Sequence, residues 1–266
     1  MIHHQIDGNQ GEWLVFVHGL TCANSDWKHQ IDALSTRYRC LSVDLRGHGQ
    51  SASLPGPYDM ETLAADVVVL LHELSVGRAV LIGHSMGTRV IAAAAIQAPQ
   101  RVAGLVFVDG SQQGLGDPIA ARDGMLAMLG DEAHTASFAN KMFEKMFTEK
   151  SNPADRELIV KRAGAVPYKV FCELISNMAC WDAGRMQAVL EQLKIPLAVV
   201  QSSRVTPERE RFCLKPGEST PYLDLVRRSV PHASIQVVPD IGHFTQLDAP
   251  QSVNEAIEAV MGRLDA

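Results

Sequence analysis

The sequence predicts an α/β fold: a mostly parallel central sheet with helices on both faces and a helical cap inserted between two strands. Three observations carry that prediction. Short apolar runs alternate with stretches that are amphipathic at helical spacing, the pattern of parallel strands joined by right-handed crossovers. One run, Ala79-Val80-Leu81-Ile82, ends in Gly83-His84-Ser85-Met86-Gly87, and a helical stretch from Thr88 to Ala98 follows at once. Residues 112–185 show helical periodicity without strands.

In chain order, Trp13 to Val17 reads as a buried strand that runs into His18-Gly19-Leu20-Thr21. Asp26 to Leu34 reads as a short helix capped near Asn24 or Ser25. Cys40 to Asp44 is the next strand, followed by Leu45-Arg46-Gly47-His48-Gly49-Gln50-Ser51 and a loop at Pro55-Gly56-Pro57. Asp59 caps a helix whose Leu63, Val67, Leu70, Leu71 and Leu74 share a face. The helix after Ser85 is apolar nearly all round, so it is expected to be buried. Val102 to Val108 is a strand ending at Asp109-Gly110.

The helical stretch 112–185 carries Met125, Met128, Met142, Phe143, Met146, Phe147, Phe171 and Met178. Methionine and phenylalanine give an adaptable apolar surface, and the stretch follows a strand's carboxyl end, where ligands bind in such sheets. It is therefore expected to be a lid, with residues 1–111 and 186–266 forming the core domain. Met186 to Leu193 and Leu197 to Val200 resume the alternation as helix and strand. Arg204 to Thr220 is polar and reads as irregular. Pro221 opens a helix, Ser234 to Val238 is a last strand, and Pro250 opens the final helix.

Composition excludes several function classes. A net charge of −6 argues against a general affinity for nucleic acid or anionic membranes. Five scattered cysteines without a Cys-x-x-Cys pair argue against a disulfide framework or a zinc ribbon. Met1 to Asp7 lacks the basic and apolar regions of a signal peptide, and the apolar runs are too short to span a bilayer. A cytoplasmic setting is expected. No phosphate loop and no metal-spaced histidines are present, so neither a cofactor nor a metal is expected. Gly47 to Ala52 imitates a dinucleotide fingerprint, but Pro55-Gly56-Pro57 stands where its helix should open.

The chemistry centres on Ser85. A strained turn between strand and helix would push its Oγ away from the sheet, and glycines at 83 and 87 let strand and helix approach. The Met86 N–H would lie at a helix N-terminus, where it can donate to a developing oxyanion. A serine hydroxyl also needs an adjacent base. His84 is Ser85's neighbour in sequence, but its side chain is expected to leave the turn in another direction. Cys22 is read as a small packing residue.

Through His18-Gly19, Asp44-Leu-Arg-Gly-His-Gly-Gln-Ser51, Gly83-His-Ser-Met-Gly87 and Gly242-His243, the chain resembles the α/β-hydrolase fold superfamily, in its esterase-like branch with a helical lid. The resemblance covers Trp13 to Leu264 apart from the lid. It implies that His243, on the loop after the last strand, is the catalytic base. It also implies that the backbone N–H of Leu20 is a second oxyanion donor beside Met86, that His18 orders this loop, and that 44–51 is a structural turn. Many relatives carry the acid in Gly-x-x-Asp after the strand matching Leu197 to Val200, where this chain reads Gln201-Ser202-Ser203-Arg204. Some branches take the acid from the preceding strand's end, which here is Asp109. Glu218, Glu208 and Asp240 remain alternatives, as does a dyad helped by a backbone carbonyl.

The resulting expectation is a cofactor-free serine hydrolase, carboxylesterase-like, that cleaves a small, mostly apolar ester through Ser85, His243 and Asp109 and an acyl-enzyme. The alternatives are other chemistry of the same apparatus (lactone or carbon–carbon cleavage, acyl transfer, perhydrolysis) or a ligand-binding receptor with vestigial hydrolysis. The expected partner is a small-molecule ester, not nucleic acid or membrane, and the reading leaves room for a homodimer.

Overall fold

The computed structural model describes residues 1–206 and 210–264. The chain opens with strands β1 (His4–Asp7) and β2 (Trp13–Val17), then helix α1 (Lys28–Leu34) and strand β3 (Arg39–Val43). Next come α2 (Met60–Glu73), β4 (Ala79–His84), α3 (Met86–Gln97) and β5 (Val102–Val108). Four consecutive helices follow: α4 (Pro118–Leu129), α5 (Glu132–Glu144), α6 (Pro153–Ala165) and α7 (Tyr168–Gly184). The remainder is α8 (Met186–Gln192), β6 (Leu197–Gln201), β7 (Ser203–Val205), β8 (Arg211–Cys213), α9 (Pro221–Ser229), β9 (Ser234–Val237), α10 (Thr245–Asp248) and α11 (Pro250–Gly262).

The seven-stranded sheet has the order β1-β3-β2-β4-β5-β6-β9. All its pairings are parallel except β1 with β3. The middle strands β4, β5 and β6 are buried along their whole length, as strands covered on both faces must be. Their alternate residues serve two cores. Leu14, Cys40, Val80, Val106 and Val200 face α1 and α11, meeting Leu34, Val253 and Ile257. Val15, Leu41, Leu81, Leu105 and Val199 face α2, α3 and α8, meeting Leu63, Ile91 and Val189. The edge strands are partly exposed, and β1 (His-Gln-Ile-Asp) lacks any apolar run, which is why periodicity did not reveal it.

Local signals placed the helix starts. Asp59, Asp117, Asp131 and Asn152 each accept a hydrogen bond from a first-turn N–H. Proline opens α4, α6, α9 and α11. The first helical turn differs from expectation: it starts as a 3-10 turn at Asn24, and Asp26 reaches back to the Ala23 N–H. The polar segment after β6 differs more. It forms an antiparallel hairpin, Ser203 opposite Cys213 and Val205 opposite Arg211. Three residues per strand give too short a pattern to read.

Within the 112–185 insertion, α4 packs along α7, and α5 along α6. α7 is fastened to α3 by a fully buried ion pair. Arg89 Nε and Nη2 each lie 2.7 Å from a carboxylate oxygen of Asp182.

Candidate active site

β4 delivers Ser85 into a turn with φ 54° and ψ −112°, a conformation that bulky residues avoid. Such strain costs about 1–3 kcal/mol and persists only where the surroundings enforce it. Here Ser85 N donates to Val108 O at 2.9 Å, and Arg89 Nη1 donates to Ser85 O at 3.1 Å. A Cβ on Gly83 would stand 2.5 Å from Gly87 O, and one on Gly87 2.3 Å from Val17 O. The two glycines therefore let α3 turn back directly over β4 and β2. Thr21 (φ 59°) and Asp109 (φ 45°) are also left-handed, as are Ser75 (φ 54°) and Asp240 (φ 58°).

His243 comes from the loop after β9. Its Nε2 lies 2.8 Å from Ser85 Oγ and its Nδ1 2.5 Å from Asp109 Oδ2. Ser85, His243 and Asp109 are all buried. The loop is held from two sides: His243 N donates to Met146 O at 2.7 Å, and His84 Nε2 donates to His243 O at 3.0 Å. The His84 side chain thus turns from Ser85 toward the His243 backbone, with the two rings 4.6 Å apart.

The missing carboxylate after β6 is explained by what stands there instead. Asp109, at the end of β5, points its Oδ1 at Ser202 N (2.8 Å) and Ser203 N (2.7 Å). Its Oδ2 receives the His243 ring, the Ser203 hydroxyl and, at 3.3 Å, Arg211 Nη1. Ser202 Oγ donates to Gly242 O at 2.7 Å and lies 2.7 Å from Thr245 Oγ1, tying β6 to the His243 loop. Ser202-Ser203 is a cradle for a carboxylate supplied by the neighbouring strand. Two of the other acids proposed from sequence are elsewhere. Asp240 pairs with Lys215 Nζ at 2.6 Å, and the exposed Glu218 accepts from Lys215 N. Glu208 lies outside the described residues.

Burial, joined by the Arg211 charge, pulls His243 down to about 4, against the opposing pull of Asp109. Burial pushes the Asp109 carboxyl up, but the His243 hydrogen bond and charge and Arg211 outweigh it, leaving Asp109 below its ordinary range. At neutral pH Asp109 is a carboxylate and His243 a neutral imidazole. Nδ1–H donates to Asp109, and the Nε2 lone pair faces the Ser85 hydroxyl.

The loop carrying Leu20 runs against the serine: a Cβ on Gly19 would stand 3.1 Å from Ser85 Cβ. His18 orders this loop, donating from Nδ1 to Gly19 O at 2.7 Å and accepting from Leu45 N at Nε2, 3.0 Å. Met86, on the other side, is the first residue of α3, with its N–H at the helix end. Cys22 is buried beside them, and burial holds its thiol well above the ordinary range, so it stays protonated.

Ser85, His243, Leu20 and Cys22 line a narrow cavity with about 600 Å³ of unfilled space, counting its mouth. Its apolar wall comes mostly from the insertion: Met125, Phe138, Met142, Phe143, Met146 and Met178. Phe244 adds a ring stacked on Phe147, centroids 4.7 Å apart. Two arginines of the centre had no sequence signal. Arg89 is an ordinary polar position in an otherwise apolar helix, and Arg211 sits in the polar stretch that read as irregular.

A model of the alpha/beta hydrolase family matches residues 14–256. The chain belongs to that family. The hydrolase is 26% identical over 256 residues to 3-oxoadipate enol-lactonase 2 of Acinetobacter baylyi, covering 95% of this chain and 89% of that one. It is 27% identical over 265 residues to the dihydrolipoyllysine-residue acetyltransferase component of the acetoin cleaving system of Pseudomonas putida. That match covers 97% of this chain but only 65% of the length of the relative. Among solved structures, a thermophilic esterase from Thermogutta terrifontis with malate bound superposes with a TM-score of 0.77 at 26% identity. The superposition covers 100% of this chain and 94% of that one. The family makes the chain an enzyme of hydrolase type. Among the described residues, no helix is long and apolar enough to cross a membrane, and no group of three or more His, Cys, Asp or Glu could hold a metal ion.

Proposed function

We propose that this hydrolase cleaves a small carboxylic ester of largely apolar body through Ser85, His243 and Asp109. The observation that carries the reading is the His243 ring bridging Ser85 Oγ and Asp109 Oδ2 at the floor of an apolar cavity. The lack of a carboxylate after β6 would suit a receptor with vestigial hydrolysis, but the Asp109 carboxylate seated on Ser202 N and Ser203 N supports a working hydrolase instead. The enol-lactonase and esterase similarities agree with carboxylic-ester chemistry.

In this mechanism Ser85 Oγ attacks the acyl carbon while its proton passes to His243 Nε2. Asp109 holds the ring in the Nδ1–H tautomer and stabilises the imidazolium. The carbonyl electron pair moves to oxygen, where the Leu20 and Met86 N–H groups donate to it. Such a donor contributes about 3–4 kcal/mol to the barrier reduction. The tetrahedral species collapses, the C–O bond to the alcohol breaks, and the alkoxide takes the proton from Nε2. Water, deprotonated by His243, then releases the acid and restores Ser85. Residues 112–185 serve as the lid that keeps bulk water from the acyl-enzyme.

A fluorophosphonate probe and 4-nitrophenyl butyrate test this together. Wild-type protein is expected to be labelled and to turn over the ester, and Ser85→Ala to do neither while melting at an unchanged temperature. Undiminished turnover by Ser85→Ala would end the proposal.

A further inference from the structure

Arg211 is the one side chain with a formal charge lining the cavity among the described residues. Its side chain is 7% exposed, so the guanidinium has given up most of its water. Among the described residues it makes two hydrogen bonds, both through Nη1: 2.6 Å to Ser203 Oγ and 3.3 Å to Asp109 Oδ2. A guanidinium has five N–H donors, so most of its capacity is left for an occupant of the cavity it helps to wall.

A role as brace for Asp109 accounts poorly for this placement. Asp109 already receives two backbone N–H groups, the Ser203 hydroxyl and the His243 ring, and Arg211 stands farther off than any of them. The cation also works against the chemistry. Its charge helps to hold down the proton affinity of His243, which must take the Ser85 proton. A negative group seated on Arg211 would cancel that opposition at the moment substrate binds.

We propose that Arg211 is the anchor for a carboxylate on the substrate, so that the preferred ester has an apolar body and one anionic end. This rests on the ester-hydrolase reading above. One guanidinium already partnered with Asp109 suits a monoanion; a phosphate dianion would call for further cations, and the rest of the lining is uncharged. Only Asp109, its hydroxyl cradle and one imidazole ring separate Arg211 from Ser85 Oγ, so a short chain spans the two.

Two matched ester pairs test the idea at pH 8 by pH-stat. Monomethyl glutarate against methyl pentanoate puts the charge on the acyl side, and 4-acetoxybutanoate against butyl acetate puts it on the alcohol side. In at least one pair, wild-type kcat/KM is expected to favour the charged ester by about tenfold or more. Arg211→Gln should erase that ratio, mainly through KM, and Arg211→Lys should keep part of it. Wild-type ratios of one or less in both pairs would overturn the assignment, as would a loss in Arg211→Gln shared equally by charged and neutral esters. Should Arg211→Gln not fold, the wild-type ratios and Arg211→Lys decide alone. Protection supplies a readout without turnover: glutarate should slow fluorophosphonate labelling of wild type and not of Arg211→Gln, and equal rates would again overturn it. Neutral esters cleaved without charge preference would remove this inference and leave the hydrolase reading standing. Failure of both labelling and turnover in wild type would remove both.

Discussion

The carboxyl edge of the sheet and the 112–185 insertion form opposite walls of one cavity by different means. At the sheet edge, polar groups satisfy one another over short distances: Ser85 with His243, His243 with Asp109, and Asp109 with Ser202 and Ser203. Each sits on a strand end or on a loop tied to one, so its position follows from the sheet. The insertion offers the cavity methionine and phenylalanine, whose contacts are not directional. The difference is physical: directional bonds fix the edge and adaptable side chains line the wall, so under the proposed function the edge would set where bonds break and the wall what fits.

The largest effect that would break this contrast is at Asp109. Asp109→Asn keeps the shape but presents the wrong tautomer to Ser85, so kcat should fall by about 10³–10⁴-fold with little change in KM. A loss under tenfold would mean that another group orients His243. Second is the junction between the two regions. Arg89→Met removes the cation paired with the buried Asp182 carboxylate and should cost about 3–5 kcal/mol in urea denaturation. The double variant Arg89→Met/Asp182→Leu should recover much of that. Unchanged stability in Arg89→Met would show that the insertion does not depend on this pair.

Acid should expose the same asymmetry. His18, His48, His84 and His243 are buried around the sheet edge, and burial lowers the proton affinity of all of them, His48 and His243 to about 4. The unfolded chain binds protons at these positions below about 6.5, whereas in the folded chain His48 and His243 bind them only near 4, and His18 and His84 are likewise held well below the ordinary range. Their stabilising contribution is thus complete above 6.5 and is lost as pH falls from there toward 4. His48 and His243 should each remove about 1.4 kcal/mol per pH unit in that window, and His18 and His84 add in the same direction. The insertion's histidine, His134, is exposed. Urea titrations at pH 8 and pH 5 that give equal stabilities would contradict the burial. The smallest effect sharpens the comparison from the other wall: Met142→Ala should raise KM for methyl pentanoate by about three- to tenfold and leave kcat unchanged. A fall in kcat instead would mean that the wall also positions the reacting groups.

Features that depend on near neighbours in the chain were legible before any fold was known. Gly83, Ser85 and Gly87 announce the elbow because its backbone can be built in few other ways, and the resemblance then placed His243. The cap at Asp59 is equally local. The four-residue strand β1 and the hairpin of β7 and β8 were too short for a periodicity to be seen. Which carboxylate meets His243 emerges from folding, because Asp109 and His243 are 134 residues apart and meet where β5, β6 and the last loop converge. Arg211 is a starker case. Its meaning lies in being buried beside Asp109 and open to a cavity, and no neighbouring residue in the chain encodes either condition.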